Sequence, residues 1–123
     1  MQILSDDELV SLRKYELVYL ATPYSKYEGG IDAAAVAAAR VSGKLLKRKV
    51  RVFSPIVHTH YVCVATDIDP FDHEFWMDAD SPFMDLCAAL VVVRMPGWDT
   101  SYGVNKEIVH FAESGKPIYG MDP

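Results

Sequence analysis

The chain has 123 residues, half of them hydrophobic, and a net charge of −5 at pH 7. This length allows one buried core, so we expect a single domain over residues 1–123 with an N-terminal helical extension over 1–16. The acidic balance argues against a nucleic-acid partner, because such binders usually carry a basic patch. One short basic cluster comprises Lys44, Lys47, Arg48, Lys49 and Arg51. Such a cluster is typical of the C-terminal end of a helix, where cations interact favourably with the helix dipole. The alternative is a binding site for a polyanion.

Cysteine usage and hydropathy predict the compartment. Cys63 and Cys87 are not in metal or redox spacing and indicate two free thiols in a reducing environment. No N-terminal segment has the pattern of a secretory signal, and the longest apolar run, 87–93, is far shorter than a bilayer span. We therefore expect a cytoplasmic protein without a membrane partner.

Short apolar runs alternate with helical patterns along the chain. Ser5 and Glu8 fit a capping box that begins a short helix over about 6–14. Apolar runs that end in turn residues predict strands at 17–21, 50–53, 90–93 and 117–119. Helical spacing and caps predict helices at 32–46 with Asp32 as N-cap, at 71–78, at 80–88, and at 101–114.

This alternation predicts a three-layer α/β fold of the Rossmann or flavodoxin type. Right-handed crossovers give a small parallel sheet of about four strands, in the order 2-1-3-4, flanked by helices. Ligands of such sheets bind at the carboxyl ends of the strands, where the winding direction reverses. We therefore expect a pocket between the loops 22–25 and 95–101, with 54–60 along the same edge.

The loop and helix start from Gly97 to Glu107 carry the most informative pattern. Ser101 and Gly103 lie at a predicted helix N-terminus, whose free N–H groups suit an anion or a sugar hydroxyl. Glu107 follows one turn later beside the inward face of the helix, which makes it a candidate nucleophile. The alternative is a solvated helix acid that pairs with a lysine. Trp98 is a candidate to cover a bound base.

The loop after the first strand, Thr22-Pro23-Tyr24-Ser25, presents an aromatic ring and two hydroxyls after a proline turn. Tyr24 is a candidate to stack on a ligand or to hydrogen bond with it. The alternative is a tyrosine that packs on the surface with its hydroxyl in water. We predict that all four residues line the substrate site.

The segment after the second strand, from Ser54 to His60, contains two histidines at i and i+2. In an extended segment they would share a face and could bind zinc, but only His73 and Cys63 are plausible additional ligands. We therefore predict no metal site, and we take Ser54 and His58 as pocket residues. Further along, Asp80 is either an N-cap before Ser81-Pro82 or an acid that projects into the cleft.

Taken together, these motifs resemble a known family. Tyr-Leu-Ala-Thr-Pro-Tyr-Ser, Phe-Ser-Pro-Ile-x-His-x-His, Trp76 with Asp80, and Gly-Trp-Asp-x-Ser-x-Gly-Val-x-x-Glu-Ile resemble DUF1937, an uncharacterised family of phage and bacterial domains. The resemblance spans about residues 17–119. It further implies a relation to the nucleoside 2-deoxyribosyltransferases, and thus one such domain over the whole chain.

That relation implies cleavage or transfer at the N-glycosidic bond of a nucleoside or nucleoside monophosphate. Gly103 to Glu107 resembles the motif that supplies the nucleophile, with Val104 in place of a threonine, and Asp80 is the counterpart of a second acid, with Asp78 as the next choice. The relation implies no cofactor and a homo-oligomer, either a dimer or a tetramer. A nucleotide-binding sensor of the same fold is the alternative function.

Overall fold

The computed structural model describes every residue from Met1 to Pro123. The strands are β1 Gln2–Leu4, β2 Val18–Ala21, β3 Val52–Phe53, β4 Ala89–Val93 and β5 Ile118–Met121. The α-helices are α1 Ile31–Lys47, α2 Pro55–Ala65, α3 His73–Leu86 and α4 Tyr102–Glu113. Two short 3₁₀ helices cover Asp7–Lys14 and Trp98–Thr100. None of these helices is both long enough and apolar enough to span a bilayer.

All five strands form one parallel sheet in the order β1-β5-β4-β2-β3. The four predicted strands correspond to β2, β3, β4 and β5, and they have the predicted relative order. The correction is the fifth strand, β1, which lies in the segment that we expected to be helical and pairs Gln2 with Tyr119. Three residues are too few to show a strand period, so only the pairing with β5 defines this edge strand.

Helices cover the sheet on both faces, which confirms the three-layer α/β architecture. Strand β2 alternates between them: Val18 and Leu20 join the core beneath α1 and the first 3₁₀ helix, whereas Tyr19 and Ala21 join the core beneath α3 and α4. Strand β4 is buried along its whole length. Both central strands are therefore continuous apolar runs, as expected for a parallel sheet with two covered faces.

The helix starts depend on local side-chain hydrogen bonds. The Ser5 amide donates to Glu8 Oε1 at 3.0 Å and the Glu8 amide donates to Ser5 Oγ at 3.3 Å, which confirms the capping box. Ser101 Oγ accepts from the Val104 amide at 3.3 Å, as expected of an N-cap. The Asp32 prediction was wrong, because α1 begins at Ile31 after Gly30, and the Asp32 carboxylate contacts a histidine instead.

The region from 54 to 88 departs most from the sequence prediction. Residues 55–65 form the helix α2 rather than an extended segment, with Ser54 Oγ accepting from the Val57 amide at 3.2 Å. The two helices predicted over 71–88 are one continuous helix, α3, with Pro82 inside it. Because proline has no amide hydrogen, the Asp78 carbonyl loses its helical donor. Ser81 Oγ donates to that carbonyl at 3.2 Å instead.

We predict that the buried strand β4 dominates stability. Leu90 has no exposed surface, so Leu90→Ala should leave a cavity and lower the free energy of unfolding by roughly 2–5 kcal/mol. Leu86 at the end of α3 is 75% exposed, and Leu86→Ala should change it by less than about 0.5 kcal/mol. Urea denaturation measures both. Equal losses in the two variants would contradict the burial pattern.

Candidate active site

The cavity lies at the carboxyl edge of the sheet, where β2 and β4 are neighbours and the chain reverses its winding direction. It is a cleft that opens to solvent, and residues from both loops and from two helices line it. The β2–α1 loop supplies Thr22, Tyr24 and Ser25, and the start of α4 supplies Ser101 and Gly103. The two loops predicted to flank a pocket therefore do so.

Two helices form the remaining walls through regular side-chain stripes. From α3 come His73, Trp76, Met77 and Asp80, at the spacing of one helical face. From α2 come Pro55, Ile56, Thr59 and Cys63, again at helical spacing. The continuity of α3 through residue 80 is what places Asp80 on the same face as His73. The alternative interpretation of Asp80 as an N-cap is thereby wrong, since it lies in the middle of a helix.

Glu107 is a buried carboxyl that lines the cavity from the first turns of α4. Only 7% of its surface is exposed, so it is not a solvated helix acid. Burial raises the pKa of Glu107 from 4.5 to about 8, because the low-dielectric surroundings penalise the charged form, and nearby Asp80 adds to the rise. The Tyr19 hydroxyl acts in the opposite direction and lowers the pKa of this carboxyl.

Asp80 is the second acidic group of the cavity. Burial raises the pKa of Asp80 from 3.8 to about 6. With the pKa of Glu107 at about 8, the two carboxyls together hold close to one proton at neutral pH. The cavity therefore contains one carboxylic acid and one carboxylate, which is the combination that acid–base or nucleophilic catalysis requires.

Two buried hydroxyls near these acids lack a hydrogen-bond partner within the protein. Tyr19 Oη and Thr22 Oγ1 are both inaccessible to solvent and unpaired. Tyr19 is close enough to Glu107 to affect its pKa, yet the two side chains do not meet hydrogen-bond geometry. Thr22 lines the cavity directly. Buried polar atoms are rarely left unpaired, so the Thr22 hydroxyl favours a polar ligand or an ordered water in the cavity. Tyr19 does not line the cavity, and its hydroxyl lies beside Glu107 instead.

A hydrogen-bonded chain of three side chains adjoins the same cavity. Tyr24 Oη lies 2.8 Å from His60 Nδ1, and His60 Nε2 lies 2.9 Å from Asp32 Oδ1. His60 is only 5% exposed, whereas most of the Asp32 side chain is in solvent. The chain thus runs from the surface, through a buried imidazole, to a residue of the cavity wall.

The structure brings together seven of the eleven predicted site residues in this cavity: Thr22, Tyr24, Ser25, Asp80, Ser101, Gly103 and Glu107. Pro23 lines an adjoining groove that shares Tyr24 and Ser101 with the cavity. A Cβ added at Gly103 would meet no atom within 4 Å, so the glycine leaves open space at the start of α4.

The other three predicted residues lie outside the cavity. Ser54 caps α2, and Trp98 packs against the core beneath α4. His58 is exposed and packs against Phe53 and Phe83, with ring centroids 5.5 and 5.7 Å away. In a helix, two residues that are two positions apart are rotated by about 200° around the axis, so they lie on nearly opposite sides. The helical conformation of α2 therefore turns His58 outward and His60 inward. Asp78, the second choice for an acid, is exposed on α3.

Sequence reasoning missed His60, Asp32 and Tyr19 as site residues. The signal for Tyr19 was a tyrosine within an otherwise aliphatic strand, where a buried hydroxyl needs a partner. No local signal joins Asp32 to His60, because 28 positions of sequence separate them and only the fold brings them together. No group of three or more histidine, cysteine, aspartate or glutamate side chains is arranged to hold a metal ion.

The fold and the site define the class of protein: a Rossmann- or flavodoxin-like α/β domain with a carboxyl-lined cavity at the switch point of its sheet. Residues 16–122 match the family model described as a domain of unknown function, DUF1937. The chain belongs to that family. No curated protein matches the chain.

We predict that the ionisation of Glu107 opposes folding as pH rises. Between its unfolded pKa near 4.5 and its folded pKa near 8, the folded protein keeps a proton that the unfolded chain has lost. Stability should therefore fall with rising pH in this window, by up to about 1.4 kcal/mol per pH unit. The glutamine in Glu107→Gln cannot titrate. The free energy of unfolding of this variant should therefore increase relative to that of the wild type from about pH 5 to about pH 8.

The matched control is Glu113→Gln, which changes an exposed acid on the same helix. Its free energy of unfolding should follow that of the wild type across the same pH range. Urea titrations at several pH values measure all three proteins. A constant difference between wild type and Glu107→Gln would show that Glu107 titrates as a solvated acid.

Proposed function

We propose that the protein cleaves or exchanges the N-glycosidic bond of a nucleoside or nucleoside monophosphate, with Glu107 as nucleophile. The observation that carries this proposal is a buried carboxyl, Glu107, that lines the same open cleft as a second acid, Asp80. The relation to the nucleoside 2-deoxyribosyltransferases, implied by the motif around Gly103 and Glu107, supports the same chemistry. The motif order and the α/β fold are consistent with it.

The reaction has two steps. The Glu107 carboxylate attacks C1′ of the sugar, the C1′–N bond breaks, and its electron pair leaves with the base, which takes a proton from Asp80. Water or a second base then attacks C1′ of the glycosyl ester, the C1′–O bond breaks and its electron pair returns to the Glu107 carboxylate, and Asp80 accepts the proton that the attacking group releases. The sequence follows the logic of retaining glycosidases and needs no cofactor.

The proton balance imposes a condition on the first step. In the free protein, burial raises the pKa of both carboxyls, and that of Glu107 most, so protonation of Glu107 opposes its role as a nucleophile at neutral pH. The proton must pass from Glu107 to Asp80 or to the base before or during attack. A hydrogen bond from Tyr19 to Glu107, formed on substrate binding, would stabilise the carboxylate and satisfy the unpaired hydroxyl.

The remaining cavity residues orient the substrate. Ser101, Gly103 and the free amides at the start of α4 would hold a 5′-hydroxyl or phosphate, since helix N-termini favour such groups. Thr22 offers an unpaired hydroxyl to the sugar or base. Tyr24 and Ser25 would contact the base. Trp98 and His58, which lie outside the cavity, would not contact a ligand bound there.

A non-catalytic nucleotide sensor of the same fold is the second candidate. The specific observation in its favour is the pKa of Glu107 at about 8, because a carboxyl protonated at neutral pH is a good hydrogen-bond donor and a poor nucleophile. In that case Glu107 would bind a ligand acceptor without covalent chemistry.

We predict release of free base from deoxynucleosides or their monophosphates. Glu107→Gln keeps the shape but loses the nucleophile, so base release should fall to background, whereas Asp80→Asn should slow it by about 10²–10⁴-fold. Chromatography of free base measures both. Mass spectrometry of the wild type mixed with substrate should show a deoxyribosyl adduct on Glu107.

Glu113→Gln should keep full activity in the same assay, because this acid is exposed outside the cavity. Base release that persists in Glu107→Gln would contradict the nucleophile assignment. Calorimetric binding of the same compounds without any turnover would favour the sensor instead.

We also propose that the chain forms a homo-oligomer in the cytoplasm, a dimer or tetramer, through the outer face of α2. This helix contains no Asp, Glu, Lys or Arg, and Tyr61 on it is 76% exposed. Val57 and Val64 are also exposed on this helix, four residues before and three residues after Tyr61, and so lie on the same face. Two copies of a chain with net charge −5 repel each other least through an uncharged patch, which favours a second copy as its occupant.

We predict that light scattering coupled to size-exclusion chromatography gives twice or four times the mass of one chain. Tyr61→Glu places like charges at this interface and should shift the protein to the monomer. Val10→Glu, at a half-exposed position on the first 3₁₀ helix, should leave the mass unchanged. A wild type that stays monomeric at high concentration would refute the oligomer.

A further inference from the structure

The chain Asp32–His60–Tyr24 has no part in the bond-breaking steps, yet it contacts the cavity wall. Asp32 lies in the first turn of α1, His60 on α2, and Tyr24 in the loop after β2. Both ring nitrogens of His60 are within hydrogen-bond distance of a partner, at 2.8 and 2.9 Å. A buried imidazole with two defined partners has its proton position determined by those partners.

The direction of each hydrogen bond follows from the carboxylate. An ionised Asp32 can only accept, so Nε2 of His60 must carry the hydrogen that lies between them. In the neutral ring, Nδ1 is then the acceptor, and the Tyr24 hydroxyl donates its only hydrogen to Nδ1.

The phenol itself stays neutral in this arrangement. Burial raises the pKa of Tyr24 to about 12, with contributions from Cys63 and Asp32. Tyr24 therefore keeps its hydrogen at neutral pH and commits it to His60. Its oxygen has lone pairs left, but no hydrogen left to give.

We propose that Asp32 and His60 fix Tyr24 as a hydrogen-bond acceptor toward the cavity, so that the ligand must present a donor, such as a hydroxyl or an amino group, at this position. Asp32 and His60 are positioning residues, and Tyr24 is the specificity-determining contact. This inference rests on the proposed function in one respect, namely that the cavity binds a nucleoside-type ligand. It is independent of whether Glu107 acts as a nucleophile.

The location of Tyr24 allows its acceptor oxygen to affect ligand binding. Tyr24 lines both the main cavity and the adjoining groove, so a ligand in either space would lie against it. A ligand carbonyl or phosphate oxygen at this point would face an oxygen with no hydrogen to share. A ligand hydroxyl or amine would satisfy it, and such a mismatch typically costs about tenfold or more in affinity.

A purely structural role is the competing explanation. His60 bridges the start of the β2–α1 loop at Tyr24 and the start of α1 at Asp32, and so ties both ends of this loop to α2. If these hydrogen bonds only hold the loop in place, their loss should lower stability without changing which ligands are preferred. Two quantities therefore distinguish the explanations: which ring nitrogen of His60 carries the hydrogen, and whether the protein prefers ligands with a hydrogen-bond donor.

The first measurement uses the ligand-free protein and nitrogen NMR of the histidine rings. We expect His60 to be the Nε2–H tautomer at neutral pH, with a slowly exchanging Nε2 proton that Asp32→Ala abolishes. Glu28→Ala changes an exposed acid of the same loop and should leave the His60 signals unchanged. Exposed His58 should show no slowly exchanging ring proton. An Nδ1–H tautomer or an imidazolium at His60 in the wild type would overturn the proposal.

The second measurement compares ligand pairs by calorimetry: deoxycytidine with deoxyuridine, deoxyadenosine with deoxyinosine, and thymidine with its 3′-fluoro analogue. In at least one pair, the member with the amino or hydroxyl donor should bind about tenfold more tightly to the wild type. Tyr24→Phe and His60→Leu should abolish this preference. Tyr61→Phe, whose ring packs on His60 at 5.5 Å without a hydrogen bond, should keep it.

These outcomes separate the two proposals. Nucleoside binding with no donor preference, or with a preference that survives in Tyr24→Phe, overturns the inference and leaves the proposed function intact. If no nucleoside or nucleotide binds, the proposed function fails and the assigned ligand class fails with it. The tautomer of His60 then still decides whether Tyr24 is fixed as an acceptor. His60→Asn, whose Oδ1 can replace Nδ1 as acceptor, should retain the preference if the variant with leucine is poorly folded.

Discussion

The burial of one carboxyl, that of Glu107, is the constraint on which the rest of the site depends. A carboxylate in an apolar core is costly, so the group keeps its proton well above the usual pKa and opposes folding once it ionises. The protein tolerates this cost because the rest of the core is well buried, and strands β2 and β4 have no exposed surface. A destabilising group retained at the wall of a cavity favours a function over a structural role.

Asp80, Tyr19 and Thr22 extend this arrangement. The charge of Asp80 helps to raise the pKa of Glu107, the unpaired Tyr19 hydroxyl lies beside Glu107, and the unpaired Thr22 hydroxyl is one that a ligand could satisfy. Each comes from a different element: α3, β2 and the loop after β2. The cavity is thus a set of unsatisfied groups held by well-packed elements, and ligand binding would supply the missing partners.

The Asp32–His60–Tyr24 chain differs from these groups because its own hydrogen bonds form without a ligand, and only acceptor lone pairs of Tyr24 remain open. Its hydrogen bonds are complete without a ligand, so it sets the direction of a contact rather than waiting for one. The two carboxyls would thereby carry out the chemistry, and this chain of side chains would determine which ligands bind. Membership of DUF1937 says nothing about either role, so the geometry of the cavity is the basis for both proposals.

The sequence by itself determined the α/β class, the relative order of four strands and the Ser101 cap, because periodicity and caps are local signals. For Glu107 the spacing left both an inward nucleophile and a solvated acid open, and only the fold decided that it is buried. Tertiary structure decided what depends on distant partners: the pairing of β1 with β5, the continuity of α3 through Pro82, and the meeting of Asp32 with His60. The conformation of 55–65 was decisive, since a helix turns His58 out and His60 in, whereas a strand would have kept them together. Ser54 and Pro55 give this helix a local start signal, and its contacts with the sheet and with α1 decide which face lies inward.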